Sequence, residues 1–226
     1  VGITHRTEHT ITWSENASGL LECRSHAIRD DDGRVWVIDP VEMSGLVEEV
    51  RSFGTPAGVI VLLDRHLRAA PEVAARLGVP LYFPAGNQRQ QLPDDVIRYT
   101  DRIEGCPFEF PLVRQSGRAW IERALWWPAR RVLVVAEAIG TVDFFRARPD
   151  EPYGVHPMMR VMPPKRLLGY DPELVLVGHG DPVDAPASAM ERVIRRTRRD
   201  SVRWGVRLPA LMRAVGSAKR DDRMGC

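Results

Sequence analysis

Gly58-Val-Ile-Val-Leu-Leu-Asp64-Arg65-His66-Leu-Arg68-Ala69-Ala-Pro-Glu-Val73-Ala-Ala-Arg-Leu77-Gly78-Val-Pro-Leu-Tyr-Phe83 is the stretch whose reading decides the fold. Residues 59–63 form a short apolar run rich in β-branched side chains, which predicts a strand buried on both faces. A polar knot follows: Asp64, Arg65, His66 and Arg68. Val73, Ala74 and Leu77 then fall at helical spacing, and Gly78 closes that helix. Residues 79–83 predict the next strand. Strand, helix and strand in this order imply a crossover between parallel strands. Open α/β sheets carry their chemistry at the carboxyl ends of such strands. The polar knot is therefore the first candidate site, the alternative being a solvated loop whose charges do nothing.

Toward the N-terminus, Ile11-Thr12-Trp13 predicts a strand, residues 23–29 a second and residues 35–39 a third. Asp30-Asp31-Asp32-Gly33 is turn chemistry and makes the last two a hairpin. The aspartate triplet lacks the ligand spacing and distal Glu of a calcium loop. Ser44 is placed to cap a helix over 45–53, with Glu48 and Glu49 in its first turn.

Beyond the central unit, residues 85–92 predict a loop. Residues 96–103 and 108–113 predict short strands around the Gly105-Cys106-Pro107 turn. Cys106 has no histidine near it in sequence and reads as a buried spectator thiol. Residues 118–127 predict a strand that pairs with 131–136 across Pro128-Ala129-Arg130. Pro149, Pro152, Pro157, Pro163 and Pro164 make 144–162 an irregular loop, suited to a lid or a cleft wall. His156 lies in it, as a cleft-wall residue or a plain surface one. Residues 174–177 predict a buried strand ending in Gly178-His179-Gly180, whose glycines let the backbone fold tightly and aim the imidazole inward. A helix over 187–199 places Met190, Val193 and Ile194 on one face, and a second short helix is expected over 208–215.

The 226 residues, 44% hydrophobic and 27% charged, suit one globular domain. No apolar run reaches membrane-spanning length, and no signal-peptide pattern opens the chain. Cys23, Cys106 and Cys226 are few and scattered, which predicts a reducing, cytoplasmic setting. A net charge of +2 offers no bulk attraction to nucleic acid. The excess of arginine after Arg192 marks residues 200–226 as a basic C-terminal extension, either a solvated helix face or a weak anion-binding tail.

Three segments together resemble the metallo-β-lactamase-fold hydrolases. In that family the central strand ends in T-H-x-H-x-D-H and leads through a helix to G-V-P-V-Y. Here Leu63-Asp64-Arg65-His66-Leu67-Arg68-Ala69 stands in that place, followed by Gly78-Val79-Pro80. The run 124–128 and then 132–138 resembles the family's A-L-Y-L-P and V-L-F-T-G-D-A, and Gly178-His179-Gly180-Asp181-Pro182 resembles its P-G-H-G-x-P. The resemblance implies an α+β fold, an αββα four-layer sandwich of two mixed sheets with helices outside, spanning 1–226 as one domain.

The same resemblance implies where a dinuclear metal site would stand. Asp64 takes the first His position, His66 the second, Arg68 the Asp position and Ala69 the last His. Arg118, within Gln115-Ser116-Gly117-Arg118, takes the third metal-binding His. Glu137 replaces the bridging Asp, and His179 keeps the final His. Guanidinium groups cannot ligate a metal. The simpler expectation is therefore a metal-free site in which Arg118 and Arg68 neutralise Asp64 and Glu137. That makes the chain a non-catalytic, pseudoenzyme-like member of the fold, or a binder of a small anionic ligand. The first alternative is a hydrolase with one divalent ion, zinc, manganese or iron, held by Asp64, His66, Glu137 and His179. The second is a structural or protein-interaction module, using Trp126, Trp127 and the basic stretch, with a homodimer among the arrangements open to it. Whether the chain is an enzyme stays open at this point, and no substrate is legible.

Overall fold

The computed structural model describes residues 2–14, 21–86, 91–117, 120–184 and 187–218. Arg118 and the end of the basic extension, 219–226, lie outside the described residues.

The chain begins with β1 (Gly2–Arg6), β2 (Thr10–Ser14), β3 (Arg24–Arg29) and β4 (Arg34–Ile38). These are antiparallel neighbours, and the aspartate-rich turn joins the last two as expected. Helix α1 (Leu46–Phe53) crosses to β5 (Thr55–Ile60), and α2 (Ala70–Leu77) crosses to β6 (Leu81–Pro84). β4, β5 and β6 are parallel, and β7 (Ile97–Tyr99) adds a further parallel strand. The result is one mixed seven-stranded sheet in chain order. Gly78 ends α2 in the left-handed conformation at φ 71°, where a Cβ is costly. Ser44 does not cap α1. Gly45 holds the N-cap position at φ 73° with no side-chain cap, because the chain enters the helix through a left-handed turn.

Among the described residues, the second layer follows as three separate small sheets, the three-stranded one being the second sheet of the sandwich. β8 (Leu112–Ser116) and β9 (Trp120–Arg123) form a hairpin, and β10 (Leu125–Trp127) pairs antiparallel with β11 (Val132–Val135). The single strand expected over 118–127 is thus two, since the chain changes partners at Ala124, whose N–H goes to the Pro111 carbonyl. β12 (Ile139–Gly140) pairs with β13 (Gly154–Val155), which lies within the proline-rich region, and β14 (Leu174–Val177) lies parallel to β11. Helix α3 runs unbroken from Ala187 to Ala218 with Pro209 inside it, where two helices were expected.

Alternation along the strands builds the layers. Val35, Val37, Val59 and Val61 face α1 and α2 with Leu46, Val50, Val73 and Leu77. Trp36, Ile38, Ile60 and Leu62 face the second sheet, in one core with Trp127, Leu133, Val135, Leu176 and the Met190, Val193 and Ile194 stripe of α3. The order is helices, sheet, sheet, helix, the αββα arrangement of an α+β fold. No helix among the described residues is long and apolar enough to cross a membrane.

The basic face of α3 has a definite task. Arg192 pairs with Glu151, Asp200 receives Arg148, and Arg198 and Arg207 donate to the carbonyls of Val161 and Arg146. These contacts pin the proline-rich segment to the helix.

The two sheets are stitched at one edge. His26 on β3 is buried; its Nε2–H donates to the Val177 carbonyl at 3.0 Å, and Thr12 donates its hydroxyl to Nδ1 at 2.9 Å. Burial pushes this imidazole down to about 4 from an ordinary 6.5. The unfolded chain therefore takes the proton first, and stability falls as pH drops through that window. Between pH 6.5 and pH 4 this histidine removes about 3 kcal/mol from the wild type. His26→Gln lacks that loss, so the wild-type advantage in urea unfolding narrows as pH falls; a constant difference overturns the assignment.

Candidate metal centre

Two pairs of parallel strands, β4 with β5 and β11 with β14, end at the same level. Asp39 follows β4, the loop 64–69 follows β5, Glu137 follows β11 and His179 follows β14. The close approach of the last two depends on glycine. A Cβ on Gly178 would lie 2.1 Å from the Ala136 carbonyl oxygen, and Gly180 sits at φ 95°.

The structure brings together His66, Glu137 and His179, all buried, with one ligand atom from each within 4.8 Å of the others. The two rings stand 5.5 Å apart at 78°. Burial drives both imidazoles well below the usual histidine range, so both are neutral. Their outer nitrogens are already engaged. His66 Nδ1 donates to Asp39 Oδ2 at 3.2 Å, and His179 Nδ1 donates to the Leu21 carbonyl at 3.1 Å. Each ring is thereby fixed in the tautomer that leaves Nε2 with a lone pair. His179 Nε2 is buried and has no hydrogen-bond partner among the described residues. Asp39 is itself anchored by the Leu62 N–H at 2.8 Å; burial raises it to about 6, which leaves it ionised at neutral pH. This is the carboxylate–histidine arrangement that orients metal ligands.

His156 reaches the same cluster from the proline-rich segment, and it is buried rather than on the surface. Its tautomer is the reverse. Nδ1 accepts the Met158 N–H at 3.2 Å, so Nε2 carries the proton and faces Glu137 Oε1 at 3.6 Å. His156 offers a donor where His66 and His179 offer lone pairs.

The other candidates fall differently. Asp64 is buried, but its Oδ1 accepts the Ile121 N–H at 3.1 Å, and it is not one of the three converging groups. Arg68 does not pair with Glu137 as expected. At φ 45° its backbone turns the side chain toward the first sheet, where Nη1 donates to the carbonyls of Arg24 and Asp39 at 2.8 and 2.9 Å. The partner of Glu137 is Arg65, whose guanidinium also lies 4.0 Å from the Trp120 ring centre. Cys106 is a free, half-buried thiol whose pKa burial pushes up to about 12.

Glu122 was not singled out from the sequence. It is fully buried in β9. Oε1 accepts the backbone N–H groups of Glu137 and Ala138, both at 2.8 Å, and Oε2 accepts the Trp120 indole N–H at 2.9 Å. Burial raises its carboxyl to about 7 despite these donors. A lone carboxylate inside Trp-Ile-Glu-Arg-Ala-Leu-Trp-Trp was the available signal, since such residues are almost never buried unpaired. Glu122→Ala leaves three buried donors without an acceptor. A loss of about 3–5 kcal/mol is expected from thermal or urea unfolding, and a loss under 1 kcal/mol overturns the assignment.

This arrangement of sheets and helices is the metallo-β-lactamase fold. The DIM-1 metallo-β-lactamase superposes with a TM-score of 0.63 over 88% of this chain and 96% of its own, at 13% identity. A metallo-β-lactamase from Pontibacter korlensis gives 0.60 over 86% and 98%, at 12% identity. TTHA1623, solved in a di-iron-bound form, gives 0.55 over 80% and 98%, at 17% identity. No family model and no curated protein matches the sequence, so the likeness is one of fold.

Proposed function

We infer that this protein binds one divalent transition metal through His66, Glu137 and His179 and acts as a hydrolase on a small anionic substrate. The observation that carries this reading is the buried, unpartnered Nε2 of His179, aimed with His66 and Glu137 at one point. A polar atom buried without a partner is costly, and a metal would satisfy it. Two neutral imidazoles and a carboxylate are a donor set that suits iron, zinc or manganese and leaves positions open. Arg68 and Ala69 occupy two of the family's ligand positions, so one ion is expected in place of two.

When bound, such an ion supplies a Lewis acid that activates water near neutral pH. The chain's own groups do the rest. Asp39 holds His66 in its ligating tautomer, and Glu122 holds the backbone of Glu137. His156 directs an N–H toward the same space, where it can donate to an oxygen of the substrate. The metallo-β-lactamases and the di-iron-bound protein that share the fold support metal chemistry at these strand ends.

One observation favours a second reading. Arg65 already neutralises Glu137, as a guanidinium would in a metal-free, non-catalytic protein that binds a small anion. Elemental analysis after loading with zinc, iron(II) or manganese(II) separates the two. About one equivalent per chain is expected, lost in both His66→Ala and His179→Ala while circular dichroism stays that of the wild type. Loading with none of the three metals overturns the metal reading and leaves the second.

A further inference from the structure

Two arginines stand near Glu137, and they are held in different ways. Arg68 is part-buried and fastened to two main-chain carbonyls. Arg65 has a side chain 39% exposed, and its guanidinium is held by the Glu137 carboxylate and the face of Trp120. The carboxylate it holds is one of the three groups that converge on a cation site. A metal at that site would draw on the same negative charge and repel the guanidinium. The two cations therefore compete for the charge of Glu137, which Arg65 holds through Oε2.

The platform under Arg65 would outlast such an exchange. Trp120 is buried, its indole N–H is fixed by Glu122, and the His156 ring packs against it at 5.1 Å. Glu122 holds Trp120 and the Glu137 backbone at once, so neither has to shift when Arg65 lets go. Cation–π contact favours keeping the guanidinium over the ring after its carboxylate is taken. There it would stand on the side of the site already faced by the N–H of His156.

We propose that Arg65 is a displaceable internal counter-ion: it holds Glu137 in the metal-free protein, and a divalent cation taking Glu137 releases it, still seated on Trp120, to bind an anionic group of the substrate. The proposal rests on the metal reading above and adds that cation and anion bind cooperatively. Each should raise the affinity for the other by the same factor, because the coupling is reciprocal. A free guanidinium matches a phosphate or carboxylate through paired N–H donors.

The test uses the full chain and manganese(II), with free metal read by electron paramagnetic resonance. Arg65→Ala and the less disruptive Arg65→Gln both remove the competing cation. Manganese binding is expected to tighten about tenfold in each. Millimolar inorganic phosphate is expected to tighten manganese binding to the wild type about fivefold or more, with most of that gain lost in both variants. Unchanged or weaker manganese binding in the variants overturns the proposal, as does an undiminished phosphate effect. Manganese binding that is absent from the wild type and both variants overturns the proposal; if zinc and iron(II) also fail to load, or if manganese binding is unaffected by His66→Ala, the metal reading itself falls with it. The two failures are therefore distinguishable.

Discussion

The seam between β3 and the turn after β14 is the constraint on which the site depends. Arg24 donates its N–H to the Gly178 carbonyl at 2.9 Å, and Gly180 donates to the Glu22 carbonyl at 3.0 Å. His26 adds a side-chain bond to Val177 from the next position along. These bonds fasten the end of a second-sheet strand to an edge of the first-sheet core. Without them His179 would belong to one layer and His66 to another. With them, the two rings meet at 5.5 Å. The two glycines flanking His179 are what let main chain pass main chain closely enough for this to happen.

Charge at the site follows from burial. Histidines in this cluster are pushed toward neutrality, and carboxylates are pushed toward protonation, because low-dielectric surroundings disfavour either charged form. The first effect suits ligation, which requires a free imidazole lone pair. The second is resisted where a partner stands close: Arg65 at Glu137, Arg68 and then the Leu62 N–H at Asp39, and backbone donors at Glu122. Each carboxylate has its own structural task. Asp39 orients a ring, Glu122 holds a backbone turn, and Glu137 faces the point where the two imidazoles converge. The arginines divide in the same way, with Arg68 fastened to carbonyls and Arg65 to a side chain.

Much of the frame was legible in the residues. The apolar runs of 35–38 and 59–62, the Gly78 helix stop and the Gly178-His179-Gly180 turn each act through local chemistry, and each stands where it was read. Element ends were less legible. Ser44 lost its capping role to a left-handed Gly45, the strand over 118–127 broke where the chain changed partners, and α3 continued through Pro209. For the first two, the deciding factor was a left-handed backbone angle at Gly45 and the Ala124–Pro111 contact from elsewhere in the chain, neither of which local composition fixes.

By itself the sequence determined most of the order of strands and helices around the site, the apolar character of the central strands, and that His66, Glu137 and His179 stand at strand ends. Those properties follow from period, propensity and turn chemistry over a few neighbouring residues. Only the tertiary structure decided which arginine meets Glu137, which nitrogen each histidine presents, and that Glu122 holds the backbone at Glu137. Those depend on hydrogen bonds between residues tens of positions apart, such as Arg65 with Glu137 and His26 with Val177. Spacing along the chain carries no record of such partners until the two sheets close on one another.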